Sequence, residues 1–262
     1  MNDESSSEKP GLPSKADTES GNSRIQTIDL IVATTCVAIF FTISRLALRS
    51  QPLFQNMQSI SSVYFVLYGI SYGFGLTFLP VFLINVIRRG NSANDRRTWN
   101  LQPGHLIGTY FWIYYGGYYF QFLLMAFANN DTGEFYTMVA AMFRILADLS
   151  CVLLLVYALF RFELRWRICT WLWLAVTLIT LTINLSYFAF YFDWIREGFL
   201  GVLSWIGFAI SIGSFVAILG SLIAMIGDWR NGVHRDWLHY YGFLVALIFC
   251  FPFLFNKIVT IF

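Results

Sequence analysis

Two full charges of opposite sign, Arg144 and Asp148, sit inside an apolar run from Phe135 to Phe160. Four residues apart, they share one face of a helix and can bond to each other. Charges at mid-membrane depth are costly, so such a pair is expected to face the protein interior. It could then anchor a charged substrate or carry a coupled proton. The alternative is a neutralised pair that only locks neighbouring helices together.

Two more runs place polar groups at the same depth. The run His105–Ala128 holds Tyr110, Tyr114, Tyr115, Tyr118, Tyr119 and Gln121. At 100° per residue all six fall within one half of a helix. Tyrosine hydroxyls near the bilayer centre need partners, so this half is expected to point inward. The run 168–192 carries Trp173, Thr177, Thr180, Asn184, Tyr187 and Tyr191 on a narrower strip. The expected candidate site is thus a midplane polar layer with Arg144 and Asp148 at its centre. Tyr114, Tyr115, Tyr118, Tyr119, Gln121, Thr180 and Asn184 form its wall.

The elements that hold this layer follow from composition. The chain has 262 residues, 57% of them hydrophobic and 12% charged, against roughly 25% charged in an average soluble domain. Mean hydropathy is +0.61. Seven apolar segments lie near 27–48, 60–87, 105–128, 135–160, 168–192, 198–226 and 239–262. Each is long enough to span a bilayer, and each is too continuously apolar for a barrel strand. The predicted fold is all-α, a seven-transmembrane-helix bundle. Residues 1–26, nearly free of apolar side chains, read as a disordered polar tail. That tail is acidic and long, unlike a signal peptide.

Orientation follows from basic residues. Lys9, Lys15 and Arg24, then Arg88, Arg89, Arg96 and Arg97, then Arg161, Arg165 and Arg167, then Arg230 and Arg235 share one side. They outnumber Arg45, Arg49, Arg196 and Lys257 on the other. The positive-inside rule then places the N-terminus in the cytoplasm and the C-terminus outside, with the plasma (inner) membrane as the expected location. The flanks of the first segment favour the opposite direction and are outvoted. Trp99, Trp166, Trp229 and Trp237 fall at the predicted cytoplasmic boundary, and Trp194 at the outer one.

Other features have structural readings. Gly213, Ala217, Gly220 and Ala224 form a small-residue seam for helix packing, against a helix of this chain or of a second copy. Gly69, Gly73, Gly75 and Pro80 predict a kink in the second segment. Cys36, Cys151, Cys169 and Cys250 show no disulfide or metal spacing. His105, His234 and His239 gather at the cytoplasmic boundary as weak metal or haem candidates, but their spacing matches no ligand motif. Lys257 invites comparison with a Schiff-base lysine, but so near the C-terminus it reads as a snorkelling interfacial residue.

No nucleotide loop, nucleophile elbow or metalloprotease motif occurs. No cofactor is called for, and a net charge of +2 argues against nucleic acid as a partner. The expected partners are the lipid bilayer, a small molecule or ion, and another membrane helix or second copy. Three functions remain: transport or ligand sensing at the midplane layer, a structural or accessory subunit, and a haem protein or enzyme built on the histidines.

Overall fold

The computed structural model describes residues 26–49, 59–90, 101–127, 133–191 and 198–248. Seven helices account for nearly all of them, and no strand occurs among the described residues. They are α1 Thr27–Arg49, α2 Ser59–Gly90, α3 Pro103–Phe127, α4 Gly133–Arg161, α5 Leu164–Tyr191 and α6 Gly198–Arg230, then α7 Trp237–Ile248. Each begins within a few residues of its predicted segment. The polar tail over 1–25, the loop carrying Trp99, Trp194, and residues 249–262 with Cys250 and Lys257 lie outside the described residues.

Four helices are long and apolar enough to cross a membrane, over Ile70–Arg88, Phe135–Arg161, Leu164–Ala189 and Ala209–Arg230. Their outward faces are predominantly apolar. Leu153 is 70% exposed, Phe160 82% and Ile223 70%, a pattern that water would not tolerate over so large an area. The apolar runs Thr27–Thr42 and Trp237–Ile248 are shorter. Helix α3 has the length, with 25 residues, but its tyrosines, glycines and His105 lower its hydropathy.

Local sequence explains the helix ends. Pro103 opens α3, where its missing N–H costs nothing. Arg167 caps the last turn of α4 by donating to the Phe162 carbonyl at 3.1 Å. Helix α6 stops at Gly232, whose φ of 69° suits glycine. Val233 N–H then reaches the Asp228 carbonyl and Gly232 N–H the Trp229 carbonyl, the paired bonds of a Schellman cap. Asp236 starts α7 by accepting His239 N–H on Oδ1 at 3.0 Å.

The hub of the bundle is α3, not α4. Small residues let α3 approach its neighbours closely. Gly108 lies under the Phe78 ring of α2, and Gly104 meets the backbone of His239 and Gly242 in α7. Phe111 packs edge-on against Trp173 of α5 at 5.3 Å, and Tyr119 contacts Phe40 of α1 at 4.7 Å. Helix α4 instead turns Met142, Leu146, Leu149 and Leu153 outward.

Glycines on the two sides of α3 differ in what they face. A Cβ at Gly117 would stand 2.6 Å from Ala147 Cβ on α4, while nothing lies within 4 Å of one at Gly116. Gly116→Ala is expected to raise stability by up to about 1 kcal/mol through helix propensity. Gly117→Ala is expected to lower it by about 1–3 kcal/mol through overpacking. Thermal melts of the two variants in the same detergent check the opposite signs.

The small-residue seam of α6 packs within the chain. Gly213 faces Val176, Gly220 faces Leu172 and Cys169, and Gly227 faces Arg165, all on α5. Ala217 and Ala224 are buried along the same line, and Trp173 Nε1 donates to Ser221 Oγ across it at 3.3 Å. In α2, Gly73 and Gly75 likewise serve packing against Phe40 and Tyr115. The α2 helix is continuous through Pro80.

Candidate functional site in the polar layer of α3, α4 and α5

Arg144 and Asp148 lie in the middle third of α4. They share a face, yet they do not pair. The ion pairs among the described residues that involve an Asp are Arg88–Asp29, His105–Asp236 and Arg235–Asp228. Arg144 instead stacks its guanidinium over the Tyr118 ring, 4.0 Å from the centroid, a cation–π contact. Its buried Nε has no hydrogen-bond partner. Asp148, 1% exposed, meets Asn184 of α5 at 2.6 Å between Oδ2 and Nδ2.

An aromatic column backs the arginine. Tyr118 packs on Tyr114 at 4.7 Å, and Tyr114 on Tyr110 at 6.1 Å. Tyr110 closes the column against α5 through a 3.1 Å hydroxyl contact with Thr177. The layer so formed has a cationic end at Arg144 and an acidic end at Asp148, separated by neutral groups.

The predicted wall divides between two sides of α3. Tyr114 and Tyr118 join Arg144, and Asn184 joins Asp148. Tyr115 turns instead toward α2, where its ring lies 4.8 Å from Tyr72, and Tyr119 turns toward Phe40 of α1. Thr180 bonds back to the Val176 carbonyl of its own helix at 3.0 Å. Gln121 is half-buried on α3. Tyr187, on the predicted α5 strip, is half exposed.

A second polar region lies at one end of the bundle, where α1, α3, α5 and α7 start and α2, α4 and α6 finish. Asp228 Oδ2 accepts Trp166 Nε1–H at 2.8 Å and Arg235 Nε–H at 2.9 Å. Trp166, 2% exposed, is therefore a buried tie between α5 and α6. That corrects its assignment to an interfacial belt. A buried indole N–H needs a partner, and Asp228 supplies one. Trp229, at 79% exposure, keeps the interfacial character.

The same end holds a node at Asp29, which is 2% exposed. Its Oδ1 accepts Asn85 Nδ2–H at 3.0 Å and Arg88 at 3.3 Å, while Oδ2 accepts Gln26 N–H at 2.9 Å. This joins α1 to α2. The signal in the sequence was an Asp and an Asn placed one turn inside apolar runs.

Two of the three histidines meet here, and His234 stays exposed. His105 Nδ1 accepts Gln102 N–H at 3.2 Å, so Nε2 carries the proton and donates to Asp236 Oδ1 at 2.8 Å. His239 Nδ1 accepts Gly104 N–H at 2.9 Å, which places its proton on Nε2 as well. Neither neutral ring presents the free lone pair that a metal or haem iron takes. Among the described residues no group of three or more His, Cys, Asp or Glu is arranged to hold a metal ion. These histidines tie the start of α3 to the start of α7.

No protein-family model matches the chain, and no curated protein or solved structure is similar enough to it to count as a match.

Proposed function

We propose that the chain is a seven-span membrane protein that binds a small molecule or ion at the Arg144/Asp148 layer, as a transporter or a ligand sensor. The N-terminus would be cytoplasmic and the C-terminus outside, in the plasma (inner) membrane. The polar end with Asp29, His105 and Asp228 would then face the cytoplasm, as its basic residues favour.

One observation carries the binding reading. An arginine and an aspartate within reach on one helix remain apart, Arg144 on an aromatic ring and Asp148 on an amide. A clasp that served only folding would pair them, since an unpaired charge at this depth costs at least about 3 kcal/mol. Charges kept apart are available to a ligand. The accessory-subunit reading draws on the α6 seam, which already finds its partner in α5.

The test is a thermal-shift screen of purified protein against amino acids, organic acids and inorganic ions. A ligand at 100 times its Kd stabilises by about 2.7 kcal/mol. Arg144→Gln and Asp148→Asn are each expected to abolish the shift while leaving the ligand-free melt close to wild type. If no compound shifts the wild type and both variants lose the fold, the layer serves folding alone.

A further inference from the structure

We infer that Asp148 is a proton-binding site, and that Arg144 moves between the Tyr118 ring and the Asp148 carboxylate as that proton leaves and returns. This deepens the ligand-site reading by naming the proton as one of its ligands.

Three observations support it. First, Asp148 is nearly fully buried in the middle of an apolar helix and has no ion pair, although Arg144 is one turn away. A carboxylate there would meet the cost of desolvation with the Asn184 amide but no ion pair to offset it, whereas a carboxylic acid would not carry that cost.

Second, the side-chain amide of Asn184 lies 2.6 Å from Asp148 Oδ2, within hydrogen-bond reach of either protonation state. The oxygen and nitrogen of an amide exchange by a half-turn of the side chain. Asn184 can therefore accept from the acid through Oδ1 and donate to the carboxylate through Nδ2. One residue serves both protonation states.

Third, Arg144 has somewhere else to be. The Tyr118 face holds the guanidinium at 4.0 Å, and Tyr114 backs that ring. A cation–π contact is weaker than the attraction of a guanidinium to a buried carboxylate one turn away. Arg144 is expected on Tyr118 when Asp148 is neutral, and on Asp148 when it is ionised. On deprotonation the acid gives its proton to water, and the carboxylate gains the guanidinium one turn away.

The groups facing Asp148 favour a proton over a metal cation. From α3 it is the Tyr110 hydroxyl, from α4 Arg144 and Cys151, and from α5 the Asn184 amide. Among the described residues that set adds no second carboxylate, and the positive charge of Arg144 repels a metal ion.

Infrared difference spectra of wild type against Asp148→Asn in lipid nanodiscs test this without any ligand. The wild type is expected to show the carbonyl stretch of a protonated carboxylic acid that the variant lacks, and to lose it as pH rises. Arg144→Gln should move that loss to higher pH, because the positive charge that favours the ionised form is gone. Tyr118→Leu should move it to lower pH, because Arg144 is released to Asp148. Asp148→Asn, the neutral isostere, should fold with an unchanged melting temperature.

A wild type without the band anywhere between about pH 5 and 9 overturns the inference, as does strong destabilisation by Asp148→Asn. A loss that Tyr118→Leu leaves in place overturns the movement of Arg144. A ligand-induced thermal shift in a wild type that lacks the band keeps the binding reading and discards the proton.

Discussion

Gly104→Ala and Gly242→Ala are each expected to detach α7 from α3 and to lower stability by about 3–5 kcal/mol, a large share of the roughly 5–15 kcal/mol that holds a typical protein folded. A methyl at Gly104 would overlap the His239 carbonyl, and one at Gly242 would overlap the Gly104 carbonyl and stand 3.1 Å from the Gly108 nitrogen. The obstacles are backbone atoms, which cannot rotate aside as a side chain does. Overpacking alone costs about 1–3 kcal/mol. Separation of the helices would also break the 2.9 Å bond from Gly104 N–H to His239 and strand a buried donor, for about 1–3 kcal/mol more. Folded yield by size exclusion and the melting temperature measure the effect. Wild-type values for both variants would show that the helices do not cross this closely.

The second large effect is expected at Asp228. Asp228→Ala removes the acceptor shared by Trp166 and Arg235. It leaves a buried indole N–H and a mostly buried guanidinium without their partner. Breaking a buried pair from one side costs about 3–5 kcal/mol. Asp228→Asn keeps an acceptor for Trp166 and loses only the charge, so its cost should be smaller. Trp166→Phe keeps the ring packing and leaves Asp228 paired with Arg235, so it should cost about 1–2 kcal/mol. The order Ala, then Asn, then the Trp166 change, read by thermal or denaturant unfolding, distinguishes a cooperative node from independent contacts. Equal costs for all three would mean that the node holds nothing beyond packing.

Both effects lie at the polar end, which was the least legible part of the sequence. Asp228 and Asp236 were visible near the histidines, but their meaning depended on which backbone and ring nitrogens faced them. His105 looked like a ligand because spacing alone cannot show that its Nδ1 faces Gln102 N–H. Trp166 looked interfacial because its neighbours in sequence are arginines, while the neighbour that buries it is 62 residues away.

The residues of the Arg144/Asp148 layer were easier to name than to arrange. Helical spacing placed Tyr114, Tyr115, Tyr118 and Tyr119 on one half of α3, and that half does carry them. It could not show that two helices divide the half-cylinder between them, with Tyr114 and Tyr118 toward α4 and Tyr115 and Tyr119 toward α1 and α2. Likewise, a four-residue spacing showed that Arg144 and Asp148 can meet. It could not reveal Tyr118 and Asn184 as competing partners, because both stand on other helices.

By itself the sequence determined that the described chain is helical, that it has faces apolar enough to meet lipid, and, to within a few residues, where its helices begin. These depend on hydropathy, periodicity and caps, which are local quantities. Tertiary structure decided that α3 is the hub, that the α6 seam packs on α5, and that Arg144 and Asp148 stand apart. Each of these depends on how one helix is rotated against another. In a chain whose faces are nearly all apolar, hydrophobicity distinguishes such rotations poorly, and close glycine crossings and a few buried hydrogen bonds select among them.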